Sequence, residues 1–154
     1  MTPTLKKRSG KAGLPPGALI HVGERRSERT RITLLDYGED RYEEREIEQI
    51  EECLLYRDSP AVTWISVSGL HQVDRIEKLN ECFGLHPLVI EDILNTDQRP
   101  KLEDFGSYMY IVLKMIYPAE PGPEFITEQV SLILDAHLEA DPGLAASARH
   151  AVPL

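Results

Sequence analysis

Hydrophobic periodicity changes abruptly along this chain, and that change limits the possible folds more than any other feature. Apolar side chains at Val73, Ile76, Leu79 and Phe83 are spaced three or four residues apart, as on one face of a helix. Just before them, residues 62–67 (VTWISV) form a β-branched run with the single tryptophan, which predicts a buried strand. A chain that alternates strand and helix spacing buries its helices against a sheet, so these patterns predict an α/β protein.

The rest of the chain continues this alternation. Ile47, Ile50 and Leu54 have helical spacing and predict a helix over residues 43–56, while Gly84 and Pro87 predict the end of one helix and the start of the next, which runs to about residue 95. Short apolar runs predict further strands at residues 18–22, 31–37, 101–105, 108–117 and 128–134. The resulting order, β-β-α-β-α-α-β-β-β, predicts a mixed sheet with helices on its faces.

Length and composition indicate one domain with two flanking segments. A chain of 154 residues is the size of a single domain. Residues 1–13 are basic and rich in Gly and Pro, which predicts a flexible leader, and residues 14–134 carry the alternating strand and helix patterns. Residues 135–154 are rich in Ala and lack a clear periodicity, so we expect an unrelated or disordered tail there.

Charge and motif content exclude several classes of protein. Residues 1–31 hold eight basic residues against two acids, whereas residues 32–154 hold nine against twenty-four, so the body of the chain would repel nucleic acid. Cys53 and Cys82 are too few for a disulfide framework or a thiolate zinc cluster. The longest apolar run, residues 110–117, is too short to span a bilayer, and no signal peptide is evident. The chain also lacks the common catalytic motifs, so we expect no enzyme activity.

Acidic residues are densest between positions 36 and 52. The simplest interpretation is the solvated face of the helix predicted over residues 43–56, and the alternative is weak collection of divalent cations. A surface of this charge also suits a basic protein partner.

Glu91 and Asp92 form a more unusual acidic pair. They lie in the second half of a predicted helix, where the helix dipole disfavours a negative charge unless a cation compensates. Adjacent helical residues point about 100° apart, so the two carboxylates would not readily chelate one ion together. Each could contribute an oxygen to a different site or subunit surface, or Arg99 or Lys101 could simply pair with them, and the residues alone leave both interpretations open.

Five blocks of sequence form the most specific pattern in the chain. The most specific is residues 86–95 (HPLVIEDILN) followed by residues 98–101 (QRPK). The others are residues 14–17 (LPPG), 64–70 (WISVSGL), 110–115 (YIVLKM) and 128–134 (EQVSLIL). In their sequence, order and spacing, the five blocks resemble the cytosolic domain of the CorA magnesium/cobalt transporter family.

This resemblance implies an α/β/α sandwich with a mixed central sheet flanked by helices, within a homopentameric transporter. It implies a regulatory domain that senses Mg²⁺, with Co²⁺ as an alternative ion, at the cytoplasmic face of the inner membrane. Glu91 and Asp92 match the acidic pair at the family's metal site between neighbouring subunits. The resemblance adds no nucleic-acid partner and no catalytic role.

The chain also departs from the family pattern. Family members continue after EQVSLIL with another strand, a stalk helix, two membrane helices and a Gly-Met-Asn pore motif, and none of these is found here. We therefore expect residues 14–134 to be a soluble domain without its last strand, which could not transport ions alone and would reach the membrane only through those helices. The alternative function is an acidic protein-interaction module without a metal-sensing role.

Overall fold

The structure is a computed structural model that describes residues 29–57, 59–119 and 122–135. Within these ranges the chain forms strands, two α-helices and one 3-10 helix. In chain order they are β1 (Arg31–Tyr37), β2 (Tyr42–Ile47), the 3-10 helix (Ile50–Tyr56), β3 (Val62–Ser68), α1 (Val73–Phe83), α2 (Pro87–Leu94), β4 (Lys101–Asp104), β5 (Tyr108–Pro118) and β6 (Phe125–Asp135). The predicted α/β class is confirmed.

The strands pair in two antiparallel sheets of three strands, ordered β2-β1-β3 and β4-β5-β6. The prediction of one mixed central sheet is not reproduced by the described strands, since every pairing among them is antiparallel. The physical reason is that short turns join β1 to β2 and β4 to β5, and such turns produce hairpins of antiparallel strands.

One hydrophobic core joins both sheets and both helices. In β1 and β3 alternate residues are buried, and the register places Ile32 opposite Val67 and Leu34 opposite Ile65, so these side chains share one face. The same cluster contains Tyr110 of β5 together with residues of α1 and α2. The helices are therefore held by burial of their apolar faces rather than by their own hydrogen bonds alone.

The prediction of a helix over residues 43–56 is wrong. Residues 42–47 form β2, with Glu43 opposite Asp36 of β1, and the helical part is a 3-10 helix that begins only at Ile50. Ile47 and Ile50 have helical spacing only because β2 ends at one and the 3-10 helix begins at the other, and both side chains are buried there. Ile50 and Cys53, three residues apart, then lie on one face of the 3-10 helix, as its three-residue turn requires.

The two predicted helices over residues 73–83 and 87 to about 95 are confirmed as α1 and α2. α1 ends at Gly84, whose φ of 63° is left-handed, and the Gly84 N–H donates to the Asn80 carbonyl at 2.8 Å. Pro87 occupies the first turn of α2, where its missing N–H costs nothing.

Some sequence predictions lie outside the described residues: the leader at 1–13, the strand at 18–22 and the tail beyond Asp135. Asp135 itself is the last residue of β6. Within the described ranges, no helix is long and apolar enough to cross a membrane.

Candidate metal site

Helix α2 positions the acidic pair that the sequence singled out. His86 caps its start, since the Nδ1 atom of His86 accepts a hydrogen bond from the Leu88 N–H at 3.3 Å. Val89, Ile90, Ile93 and Leu94 are buried, so one face of α2 is anchored in the core. Glu91 and Asp92 lie between these buried pairs and are half-buried. The sequence therefore places both carboxylates at the boundary between core and solvent.

The carboxylate of Asp92 already has partners on both oxygens. The Nε2 amide of Gln98 donates to Oδ1 at 2.6 Å, and the Nζ ammonium of Lys101 donates to Oδ2 at 2.6 Å. About a quarter of each side chain, Asp92 and Lys101, is exposed. Of the two interpretations left open by the sequence, pairing of Asp92 with Lys101 is the one present in this single chain. The ion pair also offsets the unfavourable dipole at the end of α2.

Lys101 lies between two carboxylates and over an aromatic ring. Its Nζ atom is 2.7 Å from Oε2 of Glu103, and lies 5.2 Å from the centre of the Tyr110 ring. Lys101 and Glu103 share one face of β4 because they are two residues apart in a strand. Burial lowers the pKa of Lys101, but the hydrogen bonds to Asp92 and Glu103 and the negative charges of these two carboxylates together raise it by more, so the net pKa lies above its ordinary value. Lys101 is therefore charged at neutral pH.

A second layer of hydrogen bonds holds Gln98 in place. The Gln98 N–H donates to Oε1 of Gln129 at 3.0 Å, and the Nε2 amide of Gln129 donates to the Asn95 carbonyl at 3.1 Å. Lys114 donates to the Thr96 carbonyl at 3.1 Å and to the same Gln129 oxygen at 3.3 Å. These bonds connect residues 95–98, just after α2, to Lys114 of β5 and Gln129 of β6, so the sheet holds Gln98 in position.

The donor atoms of Glu91 and Asp92 fit Mg²⁺ in their chemistry. Carboxylate oxygens are the ligands that Mg²⁺ prefers, and the ion normally keeps several waters and binds only one or two carboxylates. Among the described residues, however, no group of three or more His, Cys, Asp or Glu side chains could hold an ion. The described part of the chain therefore offers at most part of a coordination sphere, and a cation at Asp92 would have to compete with Lys101.

The acidic run from 36 to 52 is mostly engaged in ion pairs. Arg45 contacts Glu52 at 2.8 Å and Glu43 at 3.4 Å, and Lys78 contacts Glu51 at 3.4 Å. Asp36 is fully buried, and Glu43, Glu44 and Glu46 lie on strand β2, so the interpretation of the run as the solvated face of one helix is wrong for these residues. Asp36 accepts a hydrogen bond from the Thr63 hydroxyl at 2.8 Å and pairs with Arg41 at 2.6 Å.

Sequence reasoning missed Glu103 and Gln129 as parts of this neighbourhood. Gln129 is separated from α2 by more than thirty residues, and its burial is a product of sheet packing. Glu103 could have been found from its spacing of two from Lys101 on a predicted strand, because that spacing places both on one face.

Comparison with known proteins gives two matches. Residues 59–138 match a family model described as CorA-like Mg2+ transporter protein. The chain is also 45% identical, over 129 residues, to the cobalt/magnesium transport protein CorA of Thermotoga maritima, an alignment that covers 84% of this chain and 36% of the relative. The chain thus spans about a third of the length of that curated relative.

Proposed function

The chain belongs to the family of CorA-like Mg²⁺ transporter proteins, and from that membership we propose that residues 14–134 are the regulatory, Mg²⁺-sensing domain of such a transporter. The proposal is carried by the position of Asp92, whose carboxylate is half-buried in the second half of α2 and already holds a cationic group. Glu91 and Asp92 would supply carboxylate oxygens to Mg²⁺, or to Co²⁺, and a neighbouring subunit would supply the rest.

The remaining features of the proposal concern the full-length protein. There the domain would be one subunit of a homopentamer at the cytoplasmic face of the inner membrane, acting as a sensor and not as an enzyme. Its two sheets would be parts of an α/β/α sandwich, with a basic leader at 1–13. The unrelated or disordered tail expected from residue 135 would begin only after residue 138, where the family match ends. The charge of residues 32–154 supports a cation over a nucleic acid as the bound partner.

A metal titration followed by amide NMR shifts tests the site. We expect Mg²⁺ to bind with an affinity of roughly millimolar, about −4 kcal/mol, because one chain offers few ligands. Shifts should cluster at residues 91–95, and Co²⁺ should bind somewhat more tightly. Asp92→Ala should remove most of the binding.

Glu81→Ala is the matched control, since it removes one exposed acid from α1 and should leave the titration unchanged. Shifts along residues 36–52 would refute the site assignment. Unfolding of Asp92→Ala would show instead that the carboxylate is structural.

The alternative of an acidic interaction module has less support. Its acidic surface would need free carboxylates, but Glu43, Glu51 and Glu52 contact basic side chains of the same chain. Salt-sensitive binding of a basic protein, without selectivity for divalent ions, would favour that alternative.

A further inference from the structure

Lys101 places a positive charge where a metal ion would bind. Its ammonium lies 2.6 Å from Oδ2 of Asp92, and it reaches this oxygen from β4, an element separate from α2. A divalent cation that ligates Oδ2 directly would stand at about 2.0–2.1 Å from that oxygen. The ion and the ammonium would then both lie beside the same oxygen atom, and at that short distance from each other their positive charges would repel strongly. Only one of them can therefore hold Oδ2.

The ammonium has a second carboxylate within reach. Oε2 of Glu103 is 2.7 Å from the same Nζ atom, so Lys101 keeps one ion pair when it gives up Asp92. Because Lys101 is only about a quarter exposed, an ammonium without either partner would lose part of its hydration without compensation. Glu103 therefore lowers the free energy needed to release Asp92.

The two oxygens of Asp92 differ in how firmly they are held. Oδ1 accepts a hydrogen bond from the side chain of Gln98. The backbone N–H of Gln98 in turn donates to Gln129, which is only 6% exposed, so Gln98 is fixed in position. Oδ2 is held by a flexible lysine side chain. Release of Lys101 would thus free one oxygen while the carboxylate kept its orientation.

We propose that Lys101 determines the divalent-cation affinity of Asp92: its ammonium occupies the cation position in the metal-free chain, and Glu103 retains it when a metal ion takes its place. This inference rests on the proposed function, because it assumes that Asp92 binds the ion. Lys101, a residue of the same chain, competes with the ion and so raises the Mg²⁺ concentration at which the site fills.

The test is a Mg²⁺ titration of the 154-residue chain by amide NMR, with Lys101→Met and Lys101→Arg. Methionine removes the charge and keeps an apolar stem against Tyr110, whereas arginine keeps the charge. We expect Lys101→Met to bind Mg²⁺ about tenfold more tightly, equivalent to about 1.4 kcal/mol. Lys101→Arg keeps the charge and can pair with a carboxylate through two N–H groups, so it should not bind Mg²⁺ more tightly than the wild type.

Glu103→Gln should change the Mg²⁺ affinity in the direction opposite to Lys101→Met, while Lys101 itself stays in place. This variant should weaken Mg²⁺ binding about threefold, since Lys101 then has Asp92 as its remaining carboxylate. In the Lys101→Met background the same change should have a much smaller effect, and this double-mutant cycle separates the role of Lys101 from the general loss of a negative charge.

The outcomes distinguish this inference from the proposed function. If Asp92→Ala abolishes binding while Lys101→Met leaves the affinity unchanged, the lysine is not a competitor and the metal site stands. If neither the wild type nor Lys101→Met shows shifts at residues 91–95, both proposals fail. If Lys101→Met does not fold, an unchanged or increased affinity of Glu103→Gln overturns the inference on its own.

Discussion

Asp36 shows how much a single residue can differ from what its neighbours in sequence suggest. It lies in an acidic run, yet its side chain is fully buried at the end of β1. The register places it opposite Thr63 of β3, whose hydroxyl donates to it, while Arg41 reaches it from the turn between β1 and β2. A buried carboxylate with these partners links three segments of the first sheet.

Replacement of Asp36 should therefore destabilise the domain. We expect Asp36→Ala to lower the free energy of unfolding by about 2–3 kcal/mol, because the buried Thr63 hydroxyl and the Arg41 guanidinium lose their partner. Urea denaturation followed by circular dichroism measures this. Glu39→Ala, at an exposed position of the same turn, is the control and should change stability by less than about 0.5 kcal/mol. Equal effects of the two variants would contradict a structural role for Asp36.

At the scale of elements, the helices and most strands agree with the sequence, and the exception has a clear cause. The residues of α1 have a continuous apolar stripe and a glycine stop, so local propensity and packing favour the same structure. Residues 42–47 also carry charged side chains that suit a helix surface. Six pairings with β1 determine their conformation instead, and these contacts are tertiary.

The end of α1 depends on the left-handed conformation of Gly84. An added Cβ would meet no atom within 4 Å, so substitution costs only backbone strain. We expect Gly84→Ala to lower the free energy of unfolding by about 1 kcal/mol. Gly38→Ala is a suitable comparison, since its φ is not left-handed and its Cβ would make an ordinary contact with Ala61 at 3.9 Å. Thermal unfolding of both variants measures the difference, and no difference between them would refute strain at Gly84.

At the scale of the whole molecule, the second sheet leaves one face and one edge open among the described residues. Leu102, Met109, Leu113 and Met115 lie on the face opposite the core, and each is exposed by more than a third. The eleven-residue strand β6 pairs with β5 alone among the described strands. Long, apolar open strands favour pairing with another chain.

We therefore expect the 154-residue chain to self-associate as its concentration rises. Sedimentation velocity over about a hundredfold range of concentration should show an increasing average mass. Leu113→Glu places a charge on the open face and should reduce association, whereas Leu55→Glu introduces the same charge at an exposed position of the 3-10 helix and should not. A chain that stays monomeric throughout this range would contradict the expectation.

The sequence by itself determined the α/β class, the bounds of α1 and α2, most strands, and the location of Glu91 and Asp92 near the end of a helix. Each of these depends on interactions between residues close in sequence, such as helical spacing, caps and turns. The family was likewise evident from short blocks of sequence, and the family model confirms it.

Only the tertiary structure decided how the strands join, why residues 42–47 are extended, and which cation holds Asp92. The sequence offered Arg99 and Lys101 as partners of the acidic pair, and the choice of Lys101 for Asp92 follows from β4 packing beside α2. The role of Gln129 depends on the packing of β6 beside the segment after α2, whereas Glu103 contacts Lys101 within β4. The physical reason is that these contacts form between different elements, such as α2 and β4, and their energies depend on burial and distance that no local pattern contains.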